Sequence, residues 1–218
     1  MTSSTIHRVT TLDLAVRPVV WPFAEERRGE IAAHFAEQQR ARPKIWNGRV
    51  LLGRDAVFTD GHLAATYFET DFASFLAWRD WGFPDKAVFN GFGMGALRAS
   101  DGAFIMGEMA QHTANAGRIY FPSGTPDLDD VSDGALDIPG SVIRELGEET
   151  GLTAADYRAQ PDWHCVVTGP TMRLVSSLFL CMKAIESNQA AQKAFTASGC
   201  SLAALSEAKF ACMMKLGT

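Results

Sequence analysis

An α+β fold, with helices flanking a mixed sheet, is what this 218-residue sequence predicts. Segments rich in β-branched and aromatic residues recur in both halves of the chain, some joined by Asp-Gly turns. Stretches of helical periodicity fall between and after them. The apolar fraction of 47% and charged fraction of 21% are ordinary for a soluble globular chain long enough to bury a core.

The first helix is expected over residues 22–41, where Pro22 suits a first turn, Ile31 and Phe35 share a face, and Pro43 ends the run. "RVLLGRDAVFT" and "GHLAATYFET" read as two strands joined across Asp60-Gly61. "DFASFLAWRDWG" reads as a helix with Asp71 as cap and Gly82 as stop. From "AVFNGFGMGALRAS" the pattern turns to strands, through the turn Ser100–Gly102 into "AFIMGEMA" and then "GRIYFP". A helix over 138–150 follows, then strands at "HCVVTG" and "RLVSSLFLCMK". Helices at "NQAAQKAFTAS" and "LAALSEAKFACMMK" close the chain. The expected organisation is a small N-terminal α/β extension over residues 1–85, then a main domain over 86–218.

The net charge of −5 argues against nucleic acid or an anionic membrane as main partner. A small anionic ligand stays open, because local arginines or a bound cation can hold one. Cys165, Cys181, Cys200 and Cys212 form no CxxC and no close Cys/His pairing, so free thiols of a reducing compartment are expected rather than a zinc site. The N-terminus lacks a signal-peptide apolar core, and "RLVSSLFLCMKAI" is too short and serine-rich to span a bilayer. A cytoplasmic protein is expected.

The chemistry concentrates in "RELGEETGL", Arg144 to Leu152. On a helix from Ile138, Asp137 is a sound cap, Pro139 falls in the first turn and Gly151 stands at the C-cap. Val142 and Leu146 share an inward face, while Glu145, Glu148 and Glu149 share another. Arg144 is one turn before Glu148 and can pair with it. Two readings stand side by side: a solvated acidic face, or carboxylates gathered around a cation. Oxygen-only ligands of high charge suit Mg²⁺ or Mn²⁺, ions commonly shared with substrate phosphates.

The full string, Arg-Glu-aliphatic-any-Glu-Glu-any-Gly-aliphatic, arises by chance in a chain this long on the order of once in 10⁵. It resembles the core of the Nudix box, the signature of the Nudix hydrolases. That resemblance implies a Nudix-type α/β/α sandwich with a mixed sheet, built around the box as loop-helix-loop. It also implies a pyrophosphohydrolase, an enzyme acting on phosphorus-containing acid anhydrides. Such an enzyme hydrolyses a nucleoside diphosphate linked to another moiety, by water attack at phosphorus with Mg²⁺ or Mn²⁺. By position, Glu145, Glu148 and Glu149 match the metal-binding glutamates, and Arg144 matches the arginine that orients them. Gly124 matches the opening glycine, and Ser123 stands where a backbone carbonyl adds a ligand.

Gly124 stands twenty residues before Arg144, whereas the family's spacing is fourteen, so the loop is six residues longer. The family's glutamate eight residues before the arginine is here Leu136. Asp137 is the substitute, able to cap the helix and to pair with Arg144; Asp133 is a second candidate. For the base that activates water the resemblance offers Glu145 or Glu186. Arg98 and Arg118, on strands near the box, are candidates for substrate phosphates, and equally surface or ion-paired arginines.

The order "RPKIWNGRVLLG", "TYFETDFASFLAWRDWG", "NGFGMGAL" is similar to Nudix proteins carrying an extra N-terminal subdomain, some acting on UDP-sugars or ADP-ribose. There the segment shapes the substrate pocket or a dimer, so a nucleotide substrate and a homodimer are the implied partners. Trp46, Tyr67, Phe75 and Trp78 could stack on a base or could simply fill a core. A calcium loop laid on Asp129 fails at Val131 and at Gly140, where a bidentate glutamate is needed. The aspartate run then reads as an exposed loop beside the site. "GFGMG" lacks the Gly-Lys-Ser/Thr ending of a phosphate-binding loop and reads as a strand allowing close backbone approach. The alternative to an enzyme is a module of the same fold that senses a nucleotide without cleaving it.

Overall fold

The structure, a computed structural model, describes residues 3–100, 102–108, 118–180 and 201–205. Strands and a few helices form an α+β fold with parallel and antiparallel pairings. The chain divides into two compact units, neither continuous in sequence. One comprises residues 1–10, 92–124 and 138–218, the other residues 11–91 and 125–137.

In the second unit, strand β3 (Arg49–Thr59) and strand β4 (His62–Asp71) form an antiparallel hairpin, as their alternation and Asp60-Gly61 predict. Both turn residues take positive φ, 44° and 78°, the geometry a two-residue hairpin needs. Strand β2 (Thr11–Val16) runs parallel to β4, from Thr11 opposite His62 to Val16 opposite Tyr67. The first residues of strand β5 (Val88–Arg98) pair with β3 on its other side.

Helix α3 (Phe72–Asp80) starts where expected, with Asp71 accepting from the Ser74 N–H at 2.8 Å. The expected helix over 22–41 is broken at Arg27 into α1 (Pro22–Glu26) and α2 (Arg28–Ala41). Arg27 leaves helical geometry with its guanidinium 4.2 Å over the Trp81 ring. That contact competes with one more helical residue. Trp21, Phe23, Ile31, Phe35, Phe68, Phe75 and Trp78 pack into one buried cluster. Tyr67, Phe75 and Trp78 are thus core residues, whereas Trp46 is 80% exposed.

In the first unit, β1 (Ser4–Val9), β10 (Tyr157–Thr168) and β11 (Thr171–Leu180) are joined as antiparallel neighbours. The far end of β5 pairs with β6 (Phe104–Glu108), which also pairs with β7 (Ile119–Tyr120). Helix α4 (Ile138–Thr150) lies on this unit through Ile138, Val142 and Leu146, all buried. It approaches at Gly93 and Gly95. A Cβ on Gly93 would overlap the Val142 side chain, and one on Gly95 would stand 3.0 Å from Leu178. "GFGMG" is therefore strand backbone that lets a helix come close.

Two expectations change here. β1 and β2 lie in a Thr-rich stretch where the sequence signals no element. At the other end Ser201–Leu205 is a strand, β12, paired with β6 from Ser201 opposite Glu108 to Leu205 opposite Phe104. A helix was expected from Leu202; ladder pairing overrides a modest local helix preference. The rest of that helix, the one at "NQAAQKAFTAS", and Glu186 fall outside the described residues. Among the described residues, no helix is long and apolar enough to cross a membrane.

Candidate active site

The box helix ends as its sequence dictates. Gly151 takes φ 70° and its N–H reaches the Gly147 carbonyl at 2.9 Å, the left-handed cap only glycine accepts without strain. Thr150 is buried and donates its hydroxyl to the Leu146 carbonyl at 2.6 Å, and Leu152 folds back into the core. With one face fixed inward by Val142 and Leu146, Arg144, Glu145, Glu148 and Glu149 are carried on the remainder of the helix.

Arg144 Nη1 lies 3.2 Å from Glu145 Oε1 and 3.5 Å from Glu148 Oε1. The guanidinium thus spans both carboxylates. The second contact is the one-turn pair expected from the spacing. Glu145 is largely enclosed, its side chain 18% exposed, whereas Glu148 is 62% exposed. Burial, then the charge of Glu145, then that of Glu148, push the Glu149 carboxyl up to about 7. A carboxyl that resists ionising at neutral pH because it is buried and two others stand near it is a place where a cation would be welcome.

Gly124 touches this site directly. A Cβ there would stand 2.6 Å from Oε1 and 2.7 Å from Cδ of Glu145. The turn is anchored just upstream, where the Pro122 carbonyl accepts from the Gly95 N–H at 3.2 Å. Ser123 lies between those two residues. So the opening glycine and the first box glutamate meet although twenty residues separate Gly124 from Arg144.

The lengthened stretch belongs to the second unit and is not an open acidic loop. Asp127 accepts from the Asp129 N–H at 2.8 Å, and Asp130 accepts from the Asp127 N–H at 3.1 Å, closing a short 3₁₀ turn over Leu128–Asp130. Strands β8 (Val131–Ser132) and β9 (Ala135–Leu136) then form a hairpin across Asp133-Gly134, with φ of 51° and 75°. The hairpin is held by Ala15 opposite Ala135 and by the Val16 N–H on the Gly134 carbonyl at 2.8 Å. Asp133 takes the first turn position of that hairpin. The signal was legible: Asp-Gly between short extended segments is a hairpin turn. Asp137 directly precedes α4, and its N–H donates to the Asp130 carbonyl at 2.8 Å.

Arg98, at the end of β5, lies 5.7 Å over the Phe104 ring and 5.8 Å from the Phe179 ring. Arg118 is exposed just before β7. Cys165 is free and buried, with its thiol pushed up to about 12 by burial, which makes it inert packing.

The donor set of Glu145, Glu148 and Glu149 fits a hard divalent cation by its chemistry. It does not form a ready cage: among the described residues, no group of three or more His, Cys, Asp or Glu side chains is gathered closely enough to hold a metal. The perturbed Glu149 and the ungathered carboxylates are compatible. Charges couple over distances longer than a coordination bond, and Arg144 holds two of the three side chains.

No family model matches the chain. No curated protein matches it either. Among solved structures it is similar to the crystal structure of a Nudix hydrolase from M. Smegmatis, RenU, at 12% identity and a TM-score of 0.30. That match covers 42% of this chain and 58% of the other, a likeness too slight to assign fold or activity.

Proposed function

We propose that this protein is a divalent-metal-dependent hydrolase of the diphosphate linkage in a nucleoside diphosphate joined to another moiety, such as a nucleotide sugar or ADP-ribose. One observation carries the reading. The nine residues "RELGEETGL" lie on one capped helix, and the glycine that the Nudix pattern places before them rests against Glu145. Six additional residues could have dispersed that turn; folding the insert into a hairpin supports the opposite.

Glu145, Glu148 and Glu149 would hold Mg²⁺ or Mn²⁺, with the Ser123 carbonyl as a further candidate. The ion, when bound, neutralises the diphosphate and makes phosphorus more electrophilic. Arg144 keeps Glu145 and Glu148 on one side of the helix. Gly124 lets the turn backbone approach Glu145 without a side chain between them. In the reaction a water oxygen bonds to phosphorus and a bridging P–O bond breaks. Glu145 is the candidate to accept the water proton, and two phosphoryl products leave.

Purified protein given Mg²⁺ or Mn²⁺ should release phosphoryl products from at least one of ADP-ribose, UDP-sugars, NADH, coenzyme A and dNTPs. Glu149→Gln should lower that turnover by at least 10²-fold, with an unchanged circular dichroism spectrum. Full metal-dependent activity in that variant would sink the assignment. A second reading, a nucleotide sensor of the same fold, is favoured by the ungathered carboxylates and by Leu136. Tight binding of one panel member with no product would select it.

A further inference from the structure

Trp46 is the most exposed large apolar side chain among the described residues, at 80%. Yet the loop that carries it is pinned on both sides. Before it, the Ile45 N–H donates to the Arg42 carbonyl at 3.0 Å, and the Gln39 side-chain amide donates to the Ile45 carbonyl at 3.3 Å. The Ile45 side chain packs against the aromatic core of its unit. After it, Asn47 Oδ1 accepts from the Ala73 N–H and the Gly48 carbonyl from the Phe72 N–H, both at 2.8 Å, at the start of α3. The indole rests on Gly48. A Cβ there would meet Cζ3, Cε3 and Cη2 of the ring at 2.5, 2.8 and 3.1 Å. Three adjacent ring atoms at such similar distances put Gly48 under the face of the six-membered ring, not at its edge. One face is propped on backbone, and the exposure of the residue leaves the other to solvent.

The same stretch is basic. Residues 38–48 hold Arg40, Arg42 and Lys44 and no acid. Arg49 and Arg54, further on, are paired with Glu69 and Asp55. Among the described residues, Arg40, Arg42 and Lys44 have no carboxylate partner, and Arg42 Nη1 is enclosed without a hydrogen bond. The net charge of −5 does not cancel this local excess, because exposed charges more than about 8 Å apart are largely screened at physiological salt. An open aromatic face beside unpaired cations suits a flat π-system joined to anions. A lipid surface takes an apolar face of several residues, and this loop offers one ring. The cations precede Trp46 by two, four and six residues, strung along the chain rather than gathered on one phosphate. We propose that residues 40–48 bind single-stranded nucleic acid, one base stacking on Trp46 and neighbouring phosphates meeting Arg42 and Lys44. This surface does not depend on the hydrolase reading, because such a strand offers no diphosphate and needs no metal on the box helix.

The probe is a twelve-nucleotide oligothymidylate with unphosphorylated ends, added to the full chain at low salt in EDTA. Binding is followed by fluorescence anisotropy of a labelled strand and by quenching of tryptophan emission with an unlabelled one. Wild type should bind and be quenched, since Trp21, Trp78 and Trp163 are buried and Trp46 is open to the strand. Trp46→Ala should weaken binding roughly 5- to 100-fold and abolish the quenching, and Trp46→Phe should recover part of the affinity. Gly48→Ala keeps the ring and every charge but lifts the indole from its seat, and should also weaken binding at least 5-fold. Arg42→Gln and Lys44→Gln should each lower the slope of log affinity against log salt by about 0.7. No binding by wild type at about 100 μM protein overturns the proposal. So does unchanged affinity in Trp46→Ala, whose exposed side chain leaves the core intact. Thymidine monophosphate binding as tightly as the strand, or quenching by phosphatidylserine vesicles in place of it, overturns it as well.

Discussion

Gly124 has no side chain, and the space a Cβ would fill holds the Glu145 carboxylate. Its φ is not in the left-handed region, so alanine adds no backbone strain. What it adds is a methyl against the mobile tip of one side chain. Gly124→Ala should therefore fold with stability within about 1 kcal/mol of wild type. The displaced carboxylate should lower kcat/KM by roughly 10- to 100-fold and raise the Mg²⁺ concentration needed for half activity. Equal metal requirement in wild type and variant would mean that Glu145 is not a ligand. Glu149 gives a second prediction, in metal-free protein. Its carboxyl is raised from 4.5 to about 7 in the folded state. Between those values the folded chain binds the extra proton. This contribution is fully present below about pH 4.5 and is lost as the pH rises through 7. The loss amounts to at most about 3 kcal/mol. Urea unfolding at stepped pH in EDTA should show wild type falling relative to Glu149→Gln across that window. Parallel curves would refute the shift.

The elements show why some of this was legible and some was not. The hairpin β3–β4 and the caps at Asp71 and Gly151 follow from chemistry confined to a few adjacent residues, and the structure has them where the sequence puts them. β1 and β2 are different. Their residues are mostly polar or half-exposed, and each is a strand because a partner distant in sequence supplies its ladder: β10 for one, β4 for the other. No local window contains that partner. The acidic insert was misread for a related reason. Charge density suggested solvent, yet Asp127 and Asp130 spend their oxygens on backbone N–H groups, and Asp130 is 4% exposed. Aspartate is as often a turn-former as a surface charge. At the site, helical spacing sets Glu145, Glu148 and Glu149 at i, i+3 and i+4 of α4, the spacing of one face. The grip of Arg144 on two of them depends on rotamers, which spacing does not set.

At the scale of the whole molecule, the sequence suggests cutting the chain between residues 85 and 86. The contact pattern makes a sharp prediction about such a cut. A fragment of residues 86–218 would lack Ser4–Val9, which pairs along β10 from Val9 opposite Trp163 to Ser4 opposite Thr168. It would also lack β2 and β3, which hold the insert through Ala15 and through the Leu51 N–H on the Pro126 carbonyl at 2.7 Å. β10 would then become an uncovered edge, an invitation to aggregation. The segment 125–137, whose ends lead to Gly124 and to α4, would have no sheet to join. The fragment should therefore be poorly soluble, or expanded, with rapid amide exchange across β10 and the insert. Its metal-dependent turnover should be at least 10-fold below that of the full chain. Adding a synthetic peptide of residues 3–10 should slow exchange in β10 and leave the insert unprotected, because the insert's partners lie in residues 11–91. A soluble fragment with full activity and native exchange protection would show instead that residues 86–218 fold as an independent domain, and that these pairings are dispensable to the site.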